Sequence, residues 1–134
     1  MSFLYKILAD ARRDKAKTFC DKESHQFANQ AVEHLVIGYY DDQYRLIQIG
    51  EFCSNLVDAV SIPIRNITQL ALNLNARSIM LMHNHPRGDA NPSQSDIKQT
   101  RDIARILGPL GVVINDHLIV AADHQFSFRQ AGLL

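Results

Sequence analysis

Between residues 83 and 96 the chain reads His83-Asn84-His85-Pro86 and then, after seven intervening residues, Ser93-Gln94-Ser95-Asp96. Two imidazoles and a carboxylate in this pattern form a common zinc set, which leaves a fourth position for water whose pKa the metal lowers. The spacing suits the chemistry. Residues i and i+2 of a strand point to the same side. His83 and His85 close the apolar run Ser78-Ile79-Met80-Leu81-Met82, so both rings converge on one point beyond its C-terminal edge, where ligands of open α/β sheets bind. Asp96 falls in the first turn of the helix that follows, which returns its carboxylate to that point. The expectation is one Zn2+ per chain, held by His83, His85 and Asp96.

Hydrolysis at such a centre needs a proton shuttle. The glutamates are Glu23, Glu33 and Glu51. Glu33 stands inside the apolar run AVEHLVIGYY (31–40), where a charge without a task is expensive. Glu33 is therefore the expected general base and acid, with Glu51 as the fallback. Ser93 is the expected hydrogen-bond donor to the oxyanion. Ser-x-x-Asp after a proline is also a helix-start signature, with Ser93 as N-cap and Asp96 at the third helical position. The neighbouring H-x-H is what favours the metal for Asp96.

These residues need a scaffold, and the hydrophobic pattern supplies one. Residues 31–40 and 44–53 read as an antiparallel hairpin turned at Asp41-Asp42-Gln43. Pro63 opens a helix that ends near Asn75, with Ile64, Ile67, Ala71 and Leu74 along one face. The run 78–82 suits a central strand covered on both faces. A helix over 94–107 carries Ile103, Ile106, Leu107 and Leu110 on its stripe and stops at Gly108-Pro109. Strand 112–121, a turn at Asp123-His124 and a last strand near QFSFR complete the order. Strands interleaved with helices predict an α/β domain, a mixed β-sheet flanked by helices. It occupies residues 31–134, after a helical extension over residues 1–30 whose amphipathic part is 3–17. Asp116 is expected to bond backbone, or to orient His117 at a strand bend; support of the zinc ligands by His117 is the second reading. His25, His34 and His124 read as surface or packing residues.

Composition removes several classes. The 134 residues suit one core, with 46% apolar and 21% charged residues. Lys plus Arg equals Asp plus Glu at 14 each, so the whole surface is not an electrode for nucleic acid or membrane. Arg12, Arg13, Lys15 and Lys17 read as a solvated helix face. Cys20 and Cys53 read as reduced thiols. There is no signal-peptide pattern and no apolar run of about 18 residues, so a soluble cytoplasmic protein is expected.

The segment HNHPRGDANPSQSD resembles the motif of the JAMM (MPN-type, JAB domain) metalloproteases, and within them the RadC-like branch with HNHP-x-GD-x-x-PS-x-x-D. The likeness continues through DIKQTRDIARILGPLGVVINDHLIVA to SFRQAGLL, and upstream through IPIRNITQLALNLNARSIMLM. It implies the JAMM fold (cytidine-deaminase-like), zinc on His83, His85 and Asp96, Glu33 as acid/base and Ser93 as oxyanion support. It also implies hydrolysis of peptide or isopeptide bonds, with a protein, a peptide or a ubiquitin-like conjugate as substrate. Arg87 departs from the usual serine. Asn66 stands where a glutamate is common, which favours Glu33 as the catalytic carboxylate. The RadC name brings a DNA-repair label, and so an alternative reading as a nucleic-acid-processing accessory. No counterpart of the long N-terminal helix-hairpin-helix region is expected here, so DNA binding inferred from that region does not carry over. A non-catalytic interaction module is the third reading.

Overall fold

The structure is a computed structural model that describes residues 33–53, 62–122 and 124–134. The expectations for residues 1–30, with Cys20, His25 and the basic run, lie outside these residues, as does Asp123 of the expected turn.

Five strands form one mixed sheet in the order β2-β1-β3-β4-β5. They are β1 (His34–Tyr40), β2 (Leu46–Cys53), β3 (Ser78–Asn84), β4 (Val113–Ala121) and β5 (His124–Ser127). The two long helices are α1 (Ile64–Asn73) and α2 (Gln94–Leu107). Strand β1 pairs antiparallel with β2 and β3, β3 runs parallel to β4, and β5 returns antiparallel to β4. The parallel pair needs a crossover, which α2 provides. The expected α/β mixed sheet with flanking helices is therefore present in one small domain. Among the described residues no helix is long and apolar enough to cross a membrane.

Strand β3 is buried along its whole length, as its nearly continuous apolar run requires. Alternation sorts the sheet's side chains. Leu35, Ile37, Tyr39, Ile79 and Leu81 face the helices and pack with Ile67, Ala71, Ile103 and Leu107. Val36, Tyr40, Met80, Met82, Leu118 and Val120 form a second cluster on the other face. Each such aliphatic side chain contributes about 1.5–3 kcal/mol on full burial.

The stripe expected on α2 needs correction. Thr100, Ile103 and Leu107 are the buried residues, whereas Ile106 and Leu110 stay exposed at 42% and 45%. The inward stripe begins on a threonine, which a count of apolar residues passes over. Gly108-Pro109 tightens the chain into a 3-10 turn, which takes Leu110 off the stripe.

Strand β4 contains an irregularity that positions the site. Ile79 pairs with Ile114, but Met80 pairs with Asp116, so Asn115 is an extra residue. Such a β-bulge reverses which residues face which side from that point on. Ile114 faces the helices; beyond the bulge His117 is level with Leu81 on that same side. The bulge is pinned from the chain's end: Arg129 donates from Nε to the Asn115 carbonyl at 2.5 Å and from Nη2 to the Ile114 carbonyl at 2.8 Å.

Asp116 holds the same corner. Its Oδ1 accepts from the backbone N–H of His117 at 2.7 Å and of Arg129 at 3.0 Å, and its Oδ2 accepts from Ser127 Oγ at 2.6 Å. This matches the backbone-bonding role expected for Asp116. Asp116→Ala strands these donors in a corner that is 4% exposed. The expected loss is about 2–3 kcal/mol, the cost of leaving buried donors unpaired, read as a lower urea midpoint. An unchanged midpoint would mean the donors find other partners.

Candidate metal centre

The three expected ligands come together. One ligand atom from each of His83, His85 and Asp96 lies within 4.8 Å of the others. His83 is the last residue but one of the buried strand β3 and is itself 4% exposed. His85 follows two residues later, half-buried, and its backbone N–H bonds the Val120 carbonyl of β4 at 2.9 Å. The two Nε2 atoms are 2.9 Å apart. Asp96 sets Oδ2 at 3.1 Å from His85 Nε2 and Oδ1 at 3.5 Å from His83 Nε2.

The start of α2 explains how Asp96 reaches this point. Ser93 is the N-cap: its Oγ accepts from the Asp96 N–H at 3.0 Å, and Asp96 Oδ2 accepts from the Ser93 N–H at 2.8 Å. The capping box and the metal reading are therefore not rivals. The box holds the Asp96 carboxylate in one orientation, and that orientation faces the histidines. Because Ser93 uses a lone pair for the cap, its own O–H keeps the capacity to donate. Ser93→Ala removes the cap and is expected to cost about 1 kcal/mol of stability by denaturant titration. No loss would mean that the carboxylate half of the box suffices to hold the helix start.

The donor set fits a zinc-type ion. His85 Nδ1 lies 2.7 Å from the Asp89 carbonyl. A carbonyl only accepts, so Nδ1 carries the proton and neutral His85 has a bare Nε2. A bare nitrogen, a second imidazole and a carboxylate facing one another repel unless positive charge lies among them. The electrostatics agree. Burial opposes charge on His85, but hydrogen bonds to Asp96 and to the Asp89 carbonyl, with the nearby Asp96 and Glu33 charges, raise its pKa above the ordinary histidine value. Asp96 is held far below the carboxylate range: burial resists ionisation, and the affinity of the adjoining His83 and His85 imidazoles for positive charge overcomes it.

Glu33 belongs to the same neighbourhood. Leu35 pairs with His83, and the His34 N–H bonds Asn84 Oδ1 at 2.6 Å. The same register continued two positions beyond the Leu35–His83 pair would set Glu33 level with His85. Its charge acts on His85. Glu51, the fallback, pairs with Val36 on the opposite face, where it bonds His34 at 3.2 Å.

His117 takes the place that was only the second reading for it. It is fully buried and lies behind His83, with His117 Nε2 at 2.6 Å from His83 Nδ1. Its ring stacks on Phe128 at 4.6 Å between centroids. Burial, then the neighbouring His83, pushes its pKa well below the ordinary value, so it is neutral. Thr100, which the sequence reading passed over, bonds His117 Nδ1 at 2.7 Å. The available signal was a polar residue four positions after Asp96, on the face of α2 that looks at the sheet.

A sequence profile of the RadC-like JAB domain matches residues 11–133. A UPF0758 protein of Bordetella petrii is 40% identical over 107 residues, covering 80% of this chain and 48% of that protein. A UPF0758 protein of Ruegeria pomeroyi is 39% identical over 107 residues, with coverage of 80% and 48%. One of Rhodobacter capsulatus is 37% identical over 107 residues, with 80% and 50%. The chain spans about half the length of these relatives.

Proposed function

Because the chain belongs to the RadC-like JAB domain family, within the JAMM/MPN superfamily, we propose that it is a zinc-dependent hydrolase of peptide or isopeptide bonds. The observation that carries the reading is the convergence of His83, His85 and Asp96 on one point, with Glu33 close enough for its charge to act on His85. A bound zinc ion would supply Lewis-acid polarisation of water and of a carbonyl oxygen at that point. The residues do the rest. Glu33 takes a proton from the attacking water as its oxygen bonds to the carbonyl carbon. It then delivers that proton to the departing nitrogen as the C–N bond breaks. The Ser93 hydroxyl donates to the carbonyl oxygen while that oxygen carries negative charge.

The proposed substrate is an extended protein segment, including conjugates of ubiquitin-like proteins. A formal net charge of zero gives little electrostatic footprint for DNA. The test is a screen of the zinc-loaded protein against a peptide library and ubiquitin-like conjugates. Cleavage that stops on chelation and returns with zinc is expected. An intact, zinc-loaded protein that cleaves none of them would sink the peptidase reading.

A further inference from the structure

Behind the metal centre lies a buried chain of hydrogen bonds whose proton positions follow from the chemistry of its members. Thr100 Oγ1 is 2.7 Å from the Asp96 backbone carbonyl. That carbonyl has no proton to give, so the single hydroxyl proton of Thr100 goes to it. The same Oγ1 is 2.7 Å from His117 Nδ1. With its proton committed, Thr100 can only accept there, and His117 carries its hydrogen on Nδ1. A neutral imidazole has one N–H, so His117 Nε2 is an acceptor. It faces His83 Nδ1 at 2.6 Å, and His83 must donate from Nδ1. The nitrogen left bare is His83 Nε2, the atom aimed at His85 and Asp96.

We propose that Thr100 and His117 are positioning residues that lock His83 in its Nδ1–H tautomer and so keep His83 Nε2 available as a metal donor. The role of the lock rests on the metal-centre reading above; the tautomer itself does not. Ligating histidines generally give their second N–H to a carboxylate, a carbonyl or water, groups that accept under all conditions. His117 accepts on Nε2 only while its own proton sits on Nδ1, and the Thr100 hydroxyl holds it there. Both residues are 0% exposed, so water does not substitute for either.

The test compares Thr100→Val, which keeps the shape and removes the hydroxyl, with Thr100→Ser, which restores it. Long-range proton–nitrogen NMR on the metal-free protein reads which nitrogen of His83 carries hydrogen. Competition with a chromogenic chelator reads zinc affinity. The expected result is the Nδ1–H form of His83 in the unmodified protein and in Thr100→Ser. In Thr100→Val the population moves toward Nε2–H, and zinc affinity falls about 10- to 100-fold, the usual penalty for losing a supporting partner. An Nε2–H tautomer in the unmodified protein overturns the proposal, and so does a Thr100→Val protein that keeps both tautomer and affinity. If Thr100→Val does not fold, the tautomer of the unmodified protein still decides. A protein that shows the Nδ1–H form but takes up no zinc retains the lock and loses the metal-centre reading.

Discussion

His85→Ala is expected to empty the metal centre and leave the fold standing. His85 lies just beyond β3 and is partly exposed, so its ring fills no part of the core. His83 is a poorer target, since its loss would orphan the buried His117 Nε2. A structural zinc ion with four protein ligands is worth about 10–16 kcal/mol. One ligand in four is then roughly 2.5–4 kcal/mol, or about 100- to 1000-fold in affinity. Elemental analysis should give close to one zinc per chain in the unmodified protein and almost none in the variant. The melting temperature of the unmodified protein should rise with added zinc, because an ion at 100 times its Kd adds about 2.7 kcal/mol; the variant's should not. A variant that keeps its ion would mean that the donors lie elsewhere.

Glu33→Gln is expected to stop the reaction without disturbing the metal. Glutamine matches glutamate in shape and cannot take a proton. Loss of a positioned general acid/base costs about 100- to 10,000-fold in rate, and kcat should fall by that amount while zinc content stays at one per chain. The competing role is electrostatic, since the Glu33 charge raises the proton affinity of His85. If that were its whole function, Glu33→Gln would change the pH at which zinc binds and alter kcat no more than a few-fold. Measuring kcat and zinc binding on the same preparation separates the two.

The parts of the site that were legible in the sequence are those built by local rules. His83 and His85 are two residues apart on one strand end, and Asp96 is fixed by a capping box that begins at Ser93. Glu33 lies far from them in sequence, yet a charge in an apolar run marked it; it stands one residue before β1 begins, and the β1–β3 register runs toward His85 at that end. His117 was undervalued for a definite reason. Period-2 alternation assumes an unbroken strand, and the residue that breaks it, Asn115, looks like any other polar residue. Thr100 was missed because a hydroxyl on a helix's inner face is read as filler until its partner is known. The inner stripe of α2 was misjudged at Ile106 and Leu110 for the related reason that hydrophobicity, taken alone, cannot tell a helix's inner face from its flank.

The extra residue in β4 also sets what kind of genetic change this strand can absorb. Upstream and downstream of Asn115 the strand runs in opposite phase. A codon swap leaves that phase alone and is judged by the fit of one side chain. Loss of the codon at 115 takes out the bulge and joins Ile114 directly to Asp116, which keeps Asp116 level with Met80 and the His117 imidazole on the helix side with Leu81. Arg129, which bonds the carbonyls of Ile114 and Asn115, would lose one of its two partners by the same change. An in-frame loss at 115, more than 15 residues from the nearest expected ligand in sequence, thus costs the pin of the strand rather than the facing of His117.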